Sequence, residues 1–156
     1  MKTIVIELNE VVSDFAEKCN RFSEIEFGAK PLPNKWSKKE VLGHLIDSAQ
    51  NNLRRFICGQ YESTPSKIVY EQDSWVNANN YQSESKDNLI KLWVLINQRI
   101  GAILLAMPKD SYSKVSDTGR DQANLRSLEW LAADYNKHMK HHLNQIIPNS
   151  FDIKYP

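Results

Sequence analysis

The stretch "SKKEVLGHLIDSAQNNLRRFICG", Ser37–Gly59, decides how the rest of this chain is read. Its first four residues, Ser37-Lys-Lys-Glu40, form a capping box. The Ser oxygen accepts from an orphan amide of the first turn, and Glu40 reaches back to the cap residue. Val41, Leu42, Leu45, Ile46, Ala49, Leu53, Phe56 and Ile57 follow at helical spacing, so a helix is expected from Ser37 to about Cys58, stopping at Gly59. A second row runs along the same helix off its apolar stripe: His44, Ser48, Asn51 and Arg55. A merely solvated face would carry Lys and Glu. This row holds short polar groups and one arginine, which suits the wall of a polar cleft. An ordinary exposed row is the plainer alternative.

Three further helices appear on either side. The first is expected from about Leu8 to Phe27, with Val11, Val12, Phe15, Cys19, Phe22 and Phe27 facing inward and Gly28 at its end. The third, capped by Ser83 or Ser85, carries Leu89, Leu92, Trp93, Leu95, Ile96, Ile100, Ile103 and Leu104 and ends before Pro108. The fourth begins near Leu125 or Ser127 and ends before Pro148. Little of the chain resembles a strand; "KIVYE" at 67–71 is the one short extended candidate. The first two helices are joined by a short turn, so they are expected to be antiparallel neighbours. The connection from Gly59 to about Gln82 is long for a compact domain. At about 3.3 Å per extended residue it spans a helix of about 30–35 Å. That allows the second and third helices to run parallel. The expected fold class is therefore all-α: a four-helix bundle, up-down-down-up, with a long crossover between helices 2 and 3. The segment "KDSYSKVSDTGRDQAN" before the last helix is also longer than an antiparallel hop requires, as lids and pocket walls often are.

Composition agrees with an ordinary globular chain. There are 156 residues, 41% hydrophobic and 25% charged, which suggests a single domain over 1–156. Formal net charge is +1 with Lys and Arg dispersed, which argues against a nucleic-acid partner. Glu7 interrupts the opening apolar run, which does not read as a signal peptide, and no apolar run approaches the roughly 20 residues of a membrane span. Cys19 and Cys58 form no CxxC pair; free thiols in a cytoplasmic protein are the default reading and a disulfide the alternative.

Three of the four histidines lie in "DYNKHMKHHLNQI", Asp134–Ile146. His138 and His142 are spaced i, i+4 and share one side of the fourth helix, next to the buried stripe of Leu128, Leu131, Ala132, Tyr135, Met139, Leu143 and Ile146. That spacing suits two imidazoles on one metal. His141 points toward the polar face with Asp134 and Gln145 and is expected to meet solvent. Such a pair taken alone is a common coincidence, and histidines at the edge of a face often only hydrogen-bond a neighbouring backbone.

Here the motifs converge. The pattern W-S-x-x-E-V-L-G-H-L-I-D-S at Trp36–Ser48 is followed by Arg54 or Arg55. Then come W-x-x-x-x-x-Y-Q at Trp75–Gln82 and L-x-W-L-x-x-D-Y-x-x-H-x-x-H-H-L-x-Q-I at Leu128–Ile146. In this order the chain resembles the DinB-like/YfiT-type metal-binding superfamily. The resemblance implies a four-helix bundle with one long crossover. It also implies one divalent metal held by one histidine on the second helix and a His-x-x-x-His pair on the fourth, here His44, His138 and His142. Zinc, nickel and iron all accept imidazole, so the donor set leaves the metal open.

What the site does is open to two classes. Characterised relatives include metal-dependent transferases that add low-molecular-weight bacterial thiols to electrophiles, and thiol-dependent isomerases. A thiol transferase with a small-molecule substrate is therefore the first expectation. A non-catalytic metal-binding or interaction protein is the second, and a metal-dependent hydrolase a third. No nucleophile–base pair, phosphate loop or catalytic cysteine motif stands out. Asp134, one turn before His138, either supports a ligand histidine or faces solvent. Trp75 and Tyr81, with Ser48, Asn51 and Arg55, are candidates for the pocket wall; for the two aromatics a clamp on the crossover is the alternative. Relatives often pair, so a homodimer is also expected.

Overall fold

The computed structural model describes residues 1–155. Four long helices form the bundle: α1 (Lys2–Asn20), α3 (Lys38–Tyr61), α5 (Lys86–Ala106) and α6 (Leu128–Ile146), with short helices α2 (Glu24–Gly28) and α4 (Gln72–Asn79) between them. Side-chain pairs fix the directions. Val5 of α1 lies beside Gly101 near the end of α5, whereas Asn20 receives Lys86 from its start, so α1 and α5 are antiparallel. Gly59 at the end of α3 lies against Leu128 at the start of α6, while His44 meets His138, so α3 and α6 are antiparallel. Asn136 and Lys140 of α6 both reach Glu7, and Phe15 stacks on Phe151 beyond α6, so α1 and α6 run together. The arrangement is up-down-down-up, as expected.

The capping box at the start of α3 is present: Ser37 Oγ accepts from the Glu40 amide at 3.2 Å, and Glu40 Oε2 accepts from the Ser37 amide at 2.8 Å. Ser85 caps α5 and Ser127 caps α6 by accepting from the Asn88 and Trp130 amides, without the reciprocal carboxylate. Several boundaries differ from expectation. α1 begins at Lys2 rather than Leu8, because Val5 and Leu8 already belong to its buried stripe and the β-branched run 4–6 conceals the period. It also ends at Asn20. Ser23 then starts α2 with a capping box of its own, closed by Glu26, the Ser-x-x-Glu pattern of "SEIE". Gly59 does not end α3. A Cβ there would come within 2.7 Å of Leu128 Cδ2, so this glycine lets α6 approach closely. Leu92 and Leu95, assigned to the buried face of the third helix, are exposed, while Trp93, Ile100 and Leu104 are buried.

The regions between helices hold more structure than expected. A small antiparallel hairpin, β1 (Val115–Asp117) with β2 (Leu125–Ser127), places Ser116 opposite Arg126. Of the extended candidate at 67–71, Lys67 bridges to Asp117 in parallel, and Ile68 is buried. α5 is long and apolar enough, by length and composition, to cross a membrane, contrary to the expectation that no apolar run reaches that length. In this fold its inward face packs in the bundle core with α1 and α3. Cys19 and Cys58 are free.

The crossover is pinned at Tyr81. Its hydroxyl donates to Asp47 Oδ1 at 2.6 Å, and Asn79 donates to the same oxygen at 3.1 Å. Burial pushes the Asp47 carboxyl up to about 6. The Tyr81 ring lies so close over α3 that a Cβ on Gly43 would sit 2.1 Å from its Cδ2. This gives a clean test, because two effects oppose each other. Helix propensity favours Ala over Gly by about 1 kcal/mol, whereas overpacking a fixed contact costs about 1–3 kcal/mol. Gly43→Ala is expected to lower stability in denaturant titration. A stabilised Gly43→Ala protein would show that Tyr81 is not held against α3.

Candidate metal centre

His44, on the second turn of α3, is 1% exposed, and half-buried His138 and His142 face it from the last turns of α6. The antiparallel packing of these helices makes this meeting possible, since it sets the start of one against the end of the other. His44 Nε2 lies 3.4 Å from His138 Nε2. The His142 ring is 4.5 Å from that of His44 and 4.6 Å from that of His138, centroid to centroid, edge to face in both cases. One nitrogen from each ring can be chosen so that all three lie within 4.8 Å of one another.

The fit to a metal can be judged from these atoms. Two nitrogens about 2.0–2.1 Å from one tetrahedral ion lie about 3.3–3.4 Å apart, and the His44–His138 pair matches that spacing. Without an ion, Nε2 facing Nε2 satisfies at most one hydrogen bond. Buried His44 Nδ1 and His142 Nδ1 have no partner among the described residues. Desolvation is the main cause that lowers all three pKa values: His44 to about 3, aided by repulsion from His142; His138 to about 2, aided by repulsion from His142 and His44; and His142 to about 4, aided by His141 and opposed by Gln145. The imidazoles are therefore neutral at pH 7, the form a metal requires. The residues fit a divalent ion with three nitrogen donors.

A small cavity of about 170 Å³ touches His44 and His138, and two larger ones flank the cluster. One, of about 440 Å³, is lined by Pro31, Trp36, Gln72, His142 and Gln145 among others. The other, of about 290 Å³, reaches the cluster from the His138 side past Ser48, Arg55, Tyr70, Asp134 and Tyr155. Trp36 covers His44 at 5.2 Å between ring centroids, and Ser48 Oγ lies 3.4 Å from His138 Nδ1.

Of the residues singled out in the sequence, Ser48 and Arg55 line the second cavity. Asn51 does not. It is buried, and its amide donates back to the Asp47 carbonyl. Tyr81 lies beneath the crossover against Gly43, the clamp arrangement, and half-buried Trp75 packs edge-on against Tyr70 at 5.5 Å. His141 stands outside the cluster but is half-buried rather than solvent-facing, because Tyr155 packs over it. Asp134 is likewise drawn in: it accepts from the Tyr155 hydroxyl at 3.1 Å, and burial raises its pKa. Sequence reasoning missed Tyr70 and Tyr155. Both sit on irregular segments, where no period marks a side chain as inward.

The sequence profile of the DinB superfamily matches residues 7–146. No curated protein sequence matches the chain. Among solved structures, YfiT from Bacillus subtilis superposes with a TM-score of 0.82 at 20% identity, over 92% of this chain and 82% of that one. It is described as a probable metal-dependent hydrolase with an unusual four-helix bundle topology. A mycothiol-dependent maleylpyruvate isomerase superposes with a TM-score of 0.71 at 13% identity, over 97% of this chain and 61% of that one. This chain thus spans less than two thirds of the isomerase, and at these identities the likeness establishes the fold.

The cluster yields a discriminating expectation for metal content measured by mass spectrometry after dialysis. Replacing His44, His138 or His142 with Ala should each remove most of the bound metal, while His141→Ala retains it. Equal loss in His141→Ala and His138→Ala would mean that the ligand set is wrong.

Proposed function

The chain belongs to the DinB superfamily, and from that premise we propose a metal-dependent enzyme centred on His44, His138 and His142 that transfers a low-molecular-weight thiol to a small electrophile. The observation that carries this reading is the double approach to the cluster, with one cavity at His142 and another at His138, so that two small molecules can reach it together. The mycothiol dependence of the similar isomerase supports thiol as one of them. His44, His138 and His142 would hold a divalent ion, which would lower the pKa of a thiol or water bound to it.

The protein's own part is positioning and exclusion. With Nε2 of His138 turned into the cluster as a ligand, its proton would reside on Nδ1, facing Ser48 Oγ, which would fix the ring. Trp36 closes the outer side of His44 and shields it from bulk water. Cys19 is fully buried and burial pushes its thiol up to about 12, and the Ser48 hydroxyl faces the His138 nitrogen turned away from the cluster, so the attacking group in this reading is the external thiol.

We take 1–156 as one DinB-like domain and the compartment as cytoplasmic; the profile match and the two free thiols support these. We take the assembly to be a homodimer, supported by exposed Leu92, Leu95 and Leu105 on α5. Sedimentation at micromolar concentration should give twice the chain mass, and a monomer there refutes the dimer.

The reaction is tested by conjugating an electrophilic reporter with a panel of bacterial thiols. Wild-type protein with metal should accelerate at least one thiol, and His44→Ala or chelator should abolish the acceleration. Equal rates in wild type and His44→Ala for every thiol would favour the non-catalytic binding protein. Chelator-sensitive ester cleavage without thiol would favour the hydrolase, as YfiT is described.

A further inference from the structure

Arg55 is a buried cation on the wall of the His138 cavity. It is 9% exposed, and among the described residues no carboxylate lies within ion-pair distance of its guanidinium. Buried charges are normally paired, because desolvation otherwise costs several kcal/mol. Its partners are neutral. Nε and Nη2 donate to the Ile68 carbonyl at 3.2 and 2.5 Å, and Nη1 donates to Asn52 Oδ1 at 3.2 Å. A guanidinium has about five N–H donors, so one N–H remains on each terminal nitrogen. A pin for the crossover at Ile68 requires only a neutral donor; it gives no reason to bury a cation.

The space around it is suited to an anion. Arg55 lines the cavity that contains His138, Ser48, Tyr70 and Tyr155, and also an adjoining one that contains His44, His138, Thr118 and Arg120. Arg120 adds a second cation near the surface, where it pairs at 3.4 Å with Glu71. The acidic group on the wall, Asp134, accepts from Tyr155 and attracts Arg55 only at longer range, beyond ion-pair distance. The neutral histidines contribute no compensating negative charge, and a divalent ion among them would make the wall more positive.

We infer that Arg55, flanked by Tyr70 and Ser48, is a subsite for the carboxylate of a small molecule docked on the His138 side of the cluster. The two free N–H groups suit the two oxygens of a carboxylate, the bidentate geometry at which arginine excels and lysine does not. This deepens the reading of the cavity as a substrate site, but it does not depend on which reaction follows. The carboxylate has two chemical sources, the thiol or the electrophile.

The test uses matched ligands with zinc-loaded protein and isothermal titration calorimetry. One pair is 3-mercaptopropionate against 3-mercaptopropanamide; the other is fumarate against fumaramide. The carboxylate member of at least one pair should bind about tenfold or more tightly than its neutral partner, the scale of a charge-assisted hydrogen bond. A preference in the first pair assigns the carboxylate to the thiol, and one in the second assigns it to the electrophile. Arg55→Gln should remove the preference. Arg55→Lys, which keeps the charge and a donor for Ile68, should cut it to about threefold or less, and it decides the matter if the Gln protein does not fold. His44→Ala, stripped of metal, should still prefer fumarate if the electrophile carries the carboxylate. Failure of the metal-dependent reaction is therefore separable from failure of the subsite. No carboxylate preference in either pair, or a preference undiminished in Arg55→Lys, overturns the inference.

Discussion

The close antiparallel contact of α3 with α6 is the constraint on which the rest depends. Gly59 removes a side chain at one end of that contact so that Leu128 can settle against the helix. At the other end the same alignment brings His44 within 3.4 Å of His138. Residues 94 positions apart become neighbours because two helices share one axis direction in opposite senses. A helix alone sets only the His138–His142 spacing. The third donor comes from tertiary packing, and packing also supplies the burial that keeps all three imidazoles neutral.

The long crossover does more than connect parallel helices. Tyr81 wedges against Gly43 and bonds Asp47, and Gln82 accepts from the Ser37 hydroxyl at 2.6 Å, so the incoming end of the crossover is tied to the start of α3. Farther back, Ile68 takes Arg55, and Tyr70 reaches the cavity. The small hairpin holds this segment through the Ile68 amide, which donates to the Asp117 carbonyl at 3.1 Å. Long loops that close a site lose entropy on ordering, and here several independent hydrogen bonds offset that loss. The result is a polar wall opposite α6 that an antiparallel hairpin of helices could not provide.

The sequence makes the helical architecture legible because Ser37, Ser85 and Ser127 mark helix starts with side chains whose chemistry is local. The direction of the chain through the bundle was legible from loop length. The juxtaposition of His44 with the other two histidines was not: the helical wheel left it on an ambiguous polar row, and only the resemblance joined it to them. Periodicity also misjudged residues where tertiary contact overrides it. Leu92 and Leu95 are apolar yet exposed, and Asn51 shares a row with Ser48 and Arg55 yet turns back to its own helix. Tyr155 and Tyr70 lie on irregular backbone, where inward and outward are decided by the whole fold.

The most direct test is X-ray absorption at the edge of the bound metal in the purified protein, with zinc as the first choice. Multiple scattering counts imidazole ligands independently of mutagenesis. Three histidine nitrogens at about 2.0–2.1 Å with one additional light, non-histidine donor are predicted. A shell with one or no imidazole, or one dominated by sulfur from Cys19 or Cys58, would contradict a centre built from His44, His138 and His142.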